Sequence, residues 1–426
     1  MKTNGNAETA GIEKPRQHNF LRLWGGLVQR TFPFMEEEVG ELGPKARLFV
    51  TVCETVVKPE TFKYAKWKGV GRPPAKRMPV FKAFLFKAVH DIPTTKELVE
   101  RILLEPQTRR LCGWADPGEV PCESKFSEIN KEFAEMGFTE EWFDEFVRPY
   151  AVDEPGVTLS LDSAPIPVRA KAANSKRRLA EIEPDQPESG SRIEWQAGQD
   201  ADTALAELPQ ACDWGSKRDA HGKPKYWKGV KLHAEVTREG IPVAVACSSA
   251  SLHDSQAFIP LMKKATERIG PHVALADAAY DAEQIRTASA EEGNVPIIDA
   301  NKRGGEARRM TAAEKEIYKD RGTDERFFAH LIDAHGGRHV RVREPRKVWQ
   351  HLMYGVLVVA VEQTMRAMLC WAERPEMGMK AMATLAGRLL CRAVDRSPCA
   401  HAAPNSRFLS FGKASAMRPL SAIRSL

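Results

Sequence analysis

Between residues 1 and 155 the apolar positions follow a helical period. Phe81, Phe84, Leu85, Ala88 and Val89 recur at i, i+3, i+4, i+7 and i+8, which places one buried stripe on a helix. Thr94 with Glu97 three residues on reads as a capping box, and Leu98, Ile102 and Leu103 continue as its buried face. Another helix is expected over Thr139 to Val147, ending before Pro149. From Gly156 the period shortens to two. Val157, Leu159 and Leu161 alternate with Thr158, Ser160 and Asp162, as in a strand with one face buried that ends near Asp162. Two more strands are expected at Gly229 to Thr237 and Ile241 to Ser248, joined through Arg238-Glu239-Gly240. A helix capped by Asp254 then leads to a short strand, Val273 to Ala276, closed by Asp277. A helix over Ala282 to Glu291, a strand at Val295 to Ile298 and a long helix from Thr311 to Asp333 complete the order β-β-β-α-β-α-β-α. Hairpin-linked strands followed by helical crossovers predict an α/β fold, a mixed sheet with helices on its faces, preceded by an all-α region.

Length and charge refine this picture. The chain has 426 residues and a formal charge of +6, so basic character has to be local, and the length allows two or three domains. The expected division is a helical 1–155 for DNA binding or dimerisation, an α/β unit 156–365, and a partly disordered tail 366–426 without an acidic residue after Asp395. Residues 171–228 are expected to form a long, largely irregular loop, basic at both ends and acidic in the middle, a type of segment that tends to be functional or disordered. The longest apolar run, Leu352 to Val361, is too short for a bilayer span. No apolar stretch of signal-peptide type stands near Met1, and the eight cysteines are scattered without a C-x-x-C pair. These features predict a cytoplasmic protein and argue against a zinc site or a disulfide framework.

Three carboxylates stand where chemistry is expected. Asp162 lies on the first strand, opposite the apolar face; Asp277 follows the fourth strand, at the carboxyl edge where open α/β sheets collect ligands; Glu325 sits inside the last helix. Singly, such residues are caps, turns or solvated positions. Together they would repel unless a hard cation neutralised them, and oxygen-only ligation suits Mg²⁺ or Mn²⁺. Two such ions can activate a water or hydroxyl and stabilise the leaving oxygen of an in-line phosphoryl displacement. Tyr318, Arg321 and Glu325 fall on one helical stripe, where a permanently charged, planar Arg suits a phosphate. Trp214, Tyr226 and Trp227 lie among lysines, where their rings suit stacking on unpaired bases.

Five segments in order, Leu161-Asp162-Ser163, Lys231-Leu232-His233, Leu252-His253-Asp254-Ser255, Ala276-Asp277-Ala278-Ala279-Tyr280-Asp281 and Tyr318-x2-Arg321-x3-Glu325-Arg326, resemble the signature of bacterial insertion-sequence transposases of the DDE class. The stretch from Gly71-Arg72-Pro73-Pro74 to Ser127 resembles their N-terminal helical domain. The resemblance implies a ribonuclease-H-like core in which Asp162, Asp277 and Glu325 bind two Mg²⁺ or Mn²⁺ ions. It implies cleavage of DNA at terminal inverted repeats, strand transfer into target DNA, a homodimer in the synaptic complex, and action at the bacterial nucleoid. Tyr318, Arg321, Arg326, Lys231 and Trp227 are the DNA contacts it suggests. Two departures accompany it: Ile332 stands where the family often has a Lys, and Ala279 where a Gly is common. A metal-dependent nuclease without strand transfer and an inactive DNA-binding derivative are the competing readings.

Overall fold

A computed structural model describes residues 24–65, 73–148, 157–173, 191–218, 221–301 and 309–373. The expected tail beyond 373, the middle of the long loop at 174–190, Pro149 and Gly71-Arg72 lie outside the described residues.

The described N-terminal residues include the α-helices α1 (Phe32–Val39), α2 (Pro44–Val56), α3 (Arg77–Val89), α4 (Thr95–Leu104), α5 (Pro106–Cys112), α6 (Glu123–Met136) and α7 (Phe138–Val147). Helix α3 is buried almost all round rather than on one stripe, because a late helix covers its other side. Thr94 caps α4 by accepting a hydrogen bond from the Glu97 amide.

Six strands follow among the described residues: β1 (Thr158–Pro167), β2 (Asp213–Arg218), β3 (Pro224–Thr237), β4 (Pro242–Ser249), β5 (Val273–Ala276) and β6 (Val295–Ile298). Their order is β2-β3-β1-β5-β6, with β4 also paired to β3. Pairings of β3 with β1, β2 and β4 are antiparallel; β1–β5 and β5–β6 are parallel. The sheet is therefore mixed, as expected. Gly240 turns β3 into β4 at φ +83, a left-handed conformation that suits a residue without a side chain.

Three expectations change. Asp162 does not end β1: the strand continues to Pro167 because the long β3 offers it partners as far as Gly229. Residues 171–228 are not wholly irregular, since α8 (Arg192–Ala197), α9 (Ala201–Ala206) and the β2–β3 hairpin lie within them. That hairpin is two-stranded and polar on both faces, so no two-residue apolar period marks it. The single helix expected from Thr311 to Asp333 is instead α12 (Ala312–Tyr318), a 3-10 turn at Lys319–Gly322, and α13 (Thr323–Ala334). Gly322 at the junction and the tie from Ser160 Oγ to the Arg321 carbonyl favour the break.

Helix α10 (Phe258–Ile269), entered through a 3-10 turn capped by His253 rather than Asp254, packs on β3 and β4, and α11 (Glu283–Glu291) precedes β6. Helix α13 packs on β1 and β3. The last described element, α14 (Pro345–Glu373), runs through the expected boundary at 365 and packs on α2, α3, α6 and α7 as well as on α13 and β4. Its apolar run Leu352 to Val361 is wholly buried, which explains the lack of a single stripe. Tyr354 of α14 stacks on Phe84 at 5.5 Å and meets Phe81 edge-on at 5.2 Å, so helical region and sheet share one core. Among the described residues, no helix is long and apolar enough to cross a membrane.

Candidate active site

The parallel register of β1 on β5 builds the centre of the site. Ser160 lies opposite Leu275, and carrying that register forward two residues sets Asp162 beside Asp277 at the carboxyl end of β5. The side chains bear this out, since one nitrogen of Arg321 lies 3.3 Å from Asp162 Oδ2 and 3.7 Å from Asp277 Oδ2. Both acids are thus within reach of a single guanidinium. Asp277 also accepts from the Ala279 amide, which fixes the turn after β5.

Burial sets the electrostatics. It pushes the Asp162 carboxyl up to about 6, with Asp324 and Asp277 adding to the rise while the Ser163 amide and Arg321 oppose it. Asp324, fully buried, is raised in the same way, and it accepts a hydrogen bond of 2.7 Å from Ser160 Oγ. Tyr280 is buried with its hydroxyl unpartnered, and burial together with Asp254, Asp162 and Asp277 raises it well above the usual phenol value. The cleft is a concentration of negative potential, and among the described residues Arg321 is the cation that reaches both Asp162 and Asp277.

This donor set fits a hard divalent ion. The acids near the β5 edge offer only oxygen, and the guanidinium that bridges two of them marks where positive charge is favoured. Glu325 stands differently. It is exposed on the first turn of α13, next to buried Asp324, and Asp162, Asp277 and Glu325 do not form a group of donor atoms within 4.8 Å of one another. Among the described residues, the one group of three such donors within 4.8 Å is elsewhere, His330, His335 and Glu362.

Family comparison decides what this cleft belongs to. The model for the Transposase DDE domain matches residues 193–360, and that for the Transposase domain (DUF772) matches residues 40–132. The chain belongs to the DDE transposases. The first match covers Asp277 and Glu325 but begins after Asp162, and together the two span more than half the chain. No curated protein and no solved structure matches it. The mixed sheet with its helices and the helical N-terminal region are those of a transposase with a ribonuclease-H-like core, and the family typically works with divalent metal ions.

The expected DNA contacts of this transposase fall into two groups. Tyr318 donates a hydrogen bond of 3.2 Å to the Ala276 carbonyl and rests on the small core of Val273, Leu275, Ile297 and Ile317, so it braces the strand that carries Asp277. Burial pushes its hydroxyl up to about 12, against the opposing pull of Arg321. Arg321 lies in the cleft, and Arg326 is exposed one residue beyond Glu325, with a bond to Thr323 Oγ1. Lys231 is not the free, DNA-facing ammonium the sequence suggested. It donates to the Leu252 carbonyl and to Asp254 Oδ1, at 2.7 and 2.8 Å, and is mostly buried. Trp227 likewise is not open for stacking, because its indole covers Gly215 across the hairpin, where any side chain would collide with the ring. The open aromatics are Trp214 and Tyr226, 58% and 68% exposed, on the opposite hairpin face with Lys228.

Four residues escaped the sequence reading: Ser160, Asp254, Tyr280 and Asp324. Asp254 and Tyr280 stood inside the segments that carried the resemblance, and Asp324 was hidden by its neighbour Glu325. Ser160 had no signal beyond sharing the Asp162 face.

Proposed function

We propose that this transposase cuts DNA at the terminal inverted repeats of its element and joins the freed ends to target DNA, using Asp162, Asp277 and Glu325 to hold two Mg²⁺ or Mn²⁺ ions. The observation that carries the reading is the meeting of Asp162 and Asp277 on one Arg321 nitrogen, from segments remote in sequence. When bound, the ions would supply the activation of water or of a 3′-hydroxyl and the stabilisation of the leaving oxygen.

The protein's own groups have separate roles in this reading. Burial first, and then the neighbouring Asp324 and Asp277, raise the Asp162 carboxyl, and the crowding of negative charge favours a divalent cation beside it. Glu325, long and exposed at the rim, is the acid able to swing towards the pair, whereas Asp324 is spent on Ser160 and seats α13 against β1. With Asp162 and Asp277 engaged in holding the ions, Arg321 would be free to hold a DNA phosphate with its planar fork. Trp214 and Tyr226 offer faces for unpaired bases near the cut. The helical region binds the ends or pairs two protomers, because joining requires two ends held together, and the site of action is the cytoplasmic nucleoid.

The test is an in vitro assay on the DNA flanking the gene, with Mg²⁺, comparing wild type with Asp277→Asn. End cleavage and strand joining by wild type, lost in the variant and in chelator, are expected. Cleavage without joining would reduce the activity to a nuclease; binding without either would mark an inactive derivative.

A further inference from the structure

Away from the acidic cleft, three ligand-type atoms converge where α3, α13 and α14 meet. His330 Nε2 lies 2.8 Å from Glu362 Oε2, His335 Nε2 lies 3.1 Å from the same oxygen, and the two nitrogens are 3.2 Å apart. A tetrahedral Zn²⁺ with bonds of about 2.0–2.1 Å requires its donors to stand about 3.3 Å apart, so the triangle is near the size such an ion needs.

Proton accounting points the same way. His335 Nδ1 faces the Ala88 carbonyl at 3.2 Å, and a carbonyl can only accept, so Nδ1 carries the hydrogen. In the neutral ring the lone pair is then on Nε2, 3.1 Å from a carboxylate oxygen and 3.2 Å from a second imidazole nitrogen. A carboxylate oxygen and an imidazole lone pair facing one another in a nearly closed space call for a shared positive charge. The Nδ1–H to carbonyl bond is also the outer contact that orients ligating histidines. Glu362 Oε2 accepts from His330 Nε2 at 2.8 Å in the metal-free chain. Arg366 occupies its other oxygen at 2.5 Å.

The surroundings are built for this approach. Gly355, two turns before Glu362 on α14, has no side chain where the His335 carbonyl presses against the helix. The next residue, Gly336, donates to Asp91 Oδ1 at 3.0 Å, and its carbonyl meets His351 Nε2 at 2.9 Å. His335 and Glu362 are 4% and 10% exposed, while His330 at 24% leaves one side open for a water as fourth ligand.

We propose that His330, His335 and Glu362 form a structural zinc site that clips the end of α13 to α14 and to the helical region. Binding takes both Nε2 lone pairs and Glu362 Oε2; neutral His330 passes its proton from Nε2 to Nδ1 through solvent, so the ring stays neutral and no proton is released. The expectation from the cysteines, that no zinc is bound, does not extend to this donor set.

The test uses full-length protein stripped with chelator, re-exposed to zinc in excess Mg²⁺ and desalted. Metal content by mass spectrometry should be one zinc per chain, with X-ray absorption showing two imidazoles and a carboxylate, and thermal melting should rise on zinc addition. Partly exposed His330→Ala should fold and lose the zinc, as should Glu362→Gln, whereas Asp162→Asn should keep it. Less than a tenth of an equivalent in wild type would overturn the proposal and leave a protonated His–Glu clamp. Zinc lost from Asp162→Asn and retained in His330→Ala would also overturn it, by placing the ion in the acidic cleft.

Discussion

Replacing Asp162 by Asn should stabilise the metal-free protein at neutral pH. In the folded chain the Asp162 carboxyl titrates near 6, against an ordinary value of 3.8. A raised carboxyl means the folded state holds its proton more tightly, so the associated stability is fully present below pH 3.8 and is lost as pH rises through 6. About 2 units correspond to roughly 3 kcal/mol of ionisation cost above pH 6. Asn avoids that cost, and its oxygen still accepts from the Ser163 amide as Asp162 Oδ1 does now. The opposing pull of Arg321 is already contained in that raised value, so the net gain is ~3 kcal/mol. That gain raises Tm by about 4 °C or more. The assay is thermal unfolding of wild type and variant in chelator from pH 4 to 8. The curves should coincide near pH 4 and separate through pH 6, and Mg²⁺ should restore wild type while leaving the variant unmoved. A variant no more stable than wild type at pH 7.5, or a gap independent of pH, would refute the reasoning.

The neighbouring acids on α13 should separate cleanly: Glu325→Gln is expected to reduce end cleavage about 10³-fold, on the scale of losing a metal-assisted step, while Asp324→Asn, which keeps an acceptor for Ser160, stays within about tenfold. The reverse order in the same cleavage assay would move the metal role to Asp324. Lys231→Ala strands the mostly buried Asp254 charge and should cost about 3 kcal/mol by urea unfolding, with no change in the salt slope of DNA binding; a slope lowered by one at unchanged stability would return Lys231 to the DNA interface. Trp214→Ala with Tyr226→Ala should weaken single-stranded DNA binding tenfold or more in fluorescence titrations, since each stacked base is worth about 1–3 kcal/mol; undiminished affinity would remove the hairpin from the DNA path.

Legibility of the sequence followed burial. Strands β5 and β6 and the β3–β4 hairpin were visible because core packing imposes a period and Gly240 marks the turn. The β2–β3 hairpin was not, because Trp214, Ser216, Lys217, Lys225 and Tyr226 face water and leave no apolar record. Asp162 and Asp277 could be named from their places beside strands, but their proximity rests on the β1–β5 register, a long-range property that local pattern does not encode. Helical spacing placed Tyr318, Arg321 and Glu325 on one stripe; the break at Gly322 divides that stripe, leaving Tyr318 under β5, Arg321 in the cleft and Glu325 at the rim. Lys231 was misread because a lysine in a basic stretch looks solvated until its partner, Asp254, is brought to it by the fold. His330, His335 and Glu362 carried no signal at all, since their spacing matches no common ligand motif and only the packing of α13 on α14 unites them.

Iron-directed backbone cleavage tests the convergence at the heart of the account. With Fe²⁺ in place of Mg²⁺ and ascorbate with peroxide to generate hydroxyl radicals, the DNA-bound transposase should be cut in three remote segments together, around residues 162, 277 and 325, and Asp277→Asn should lose all three sets of cuts. Cuts confined to one of these segments, or unchanged in Asp277→Asn, would contradict a shared metal site.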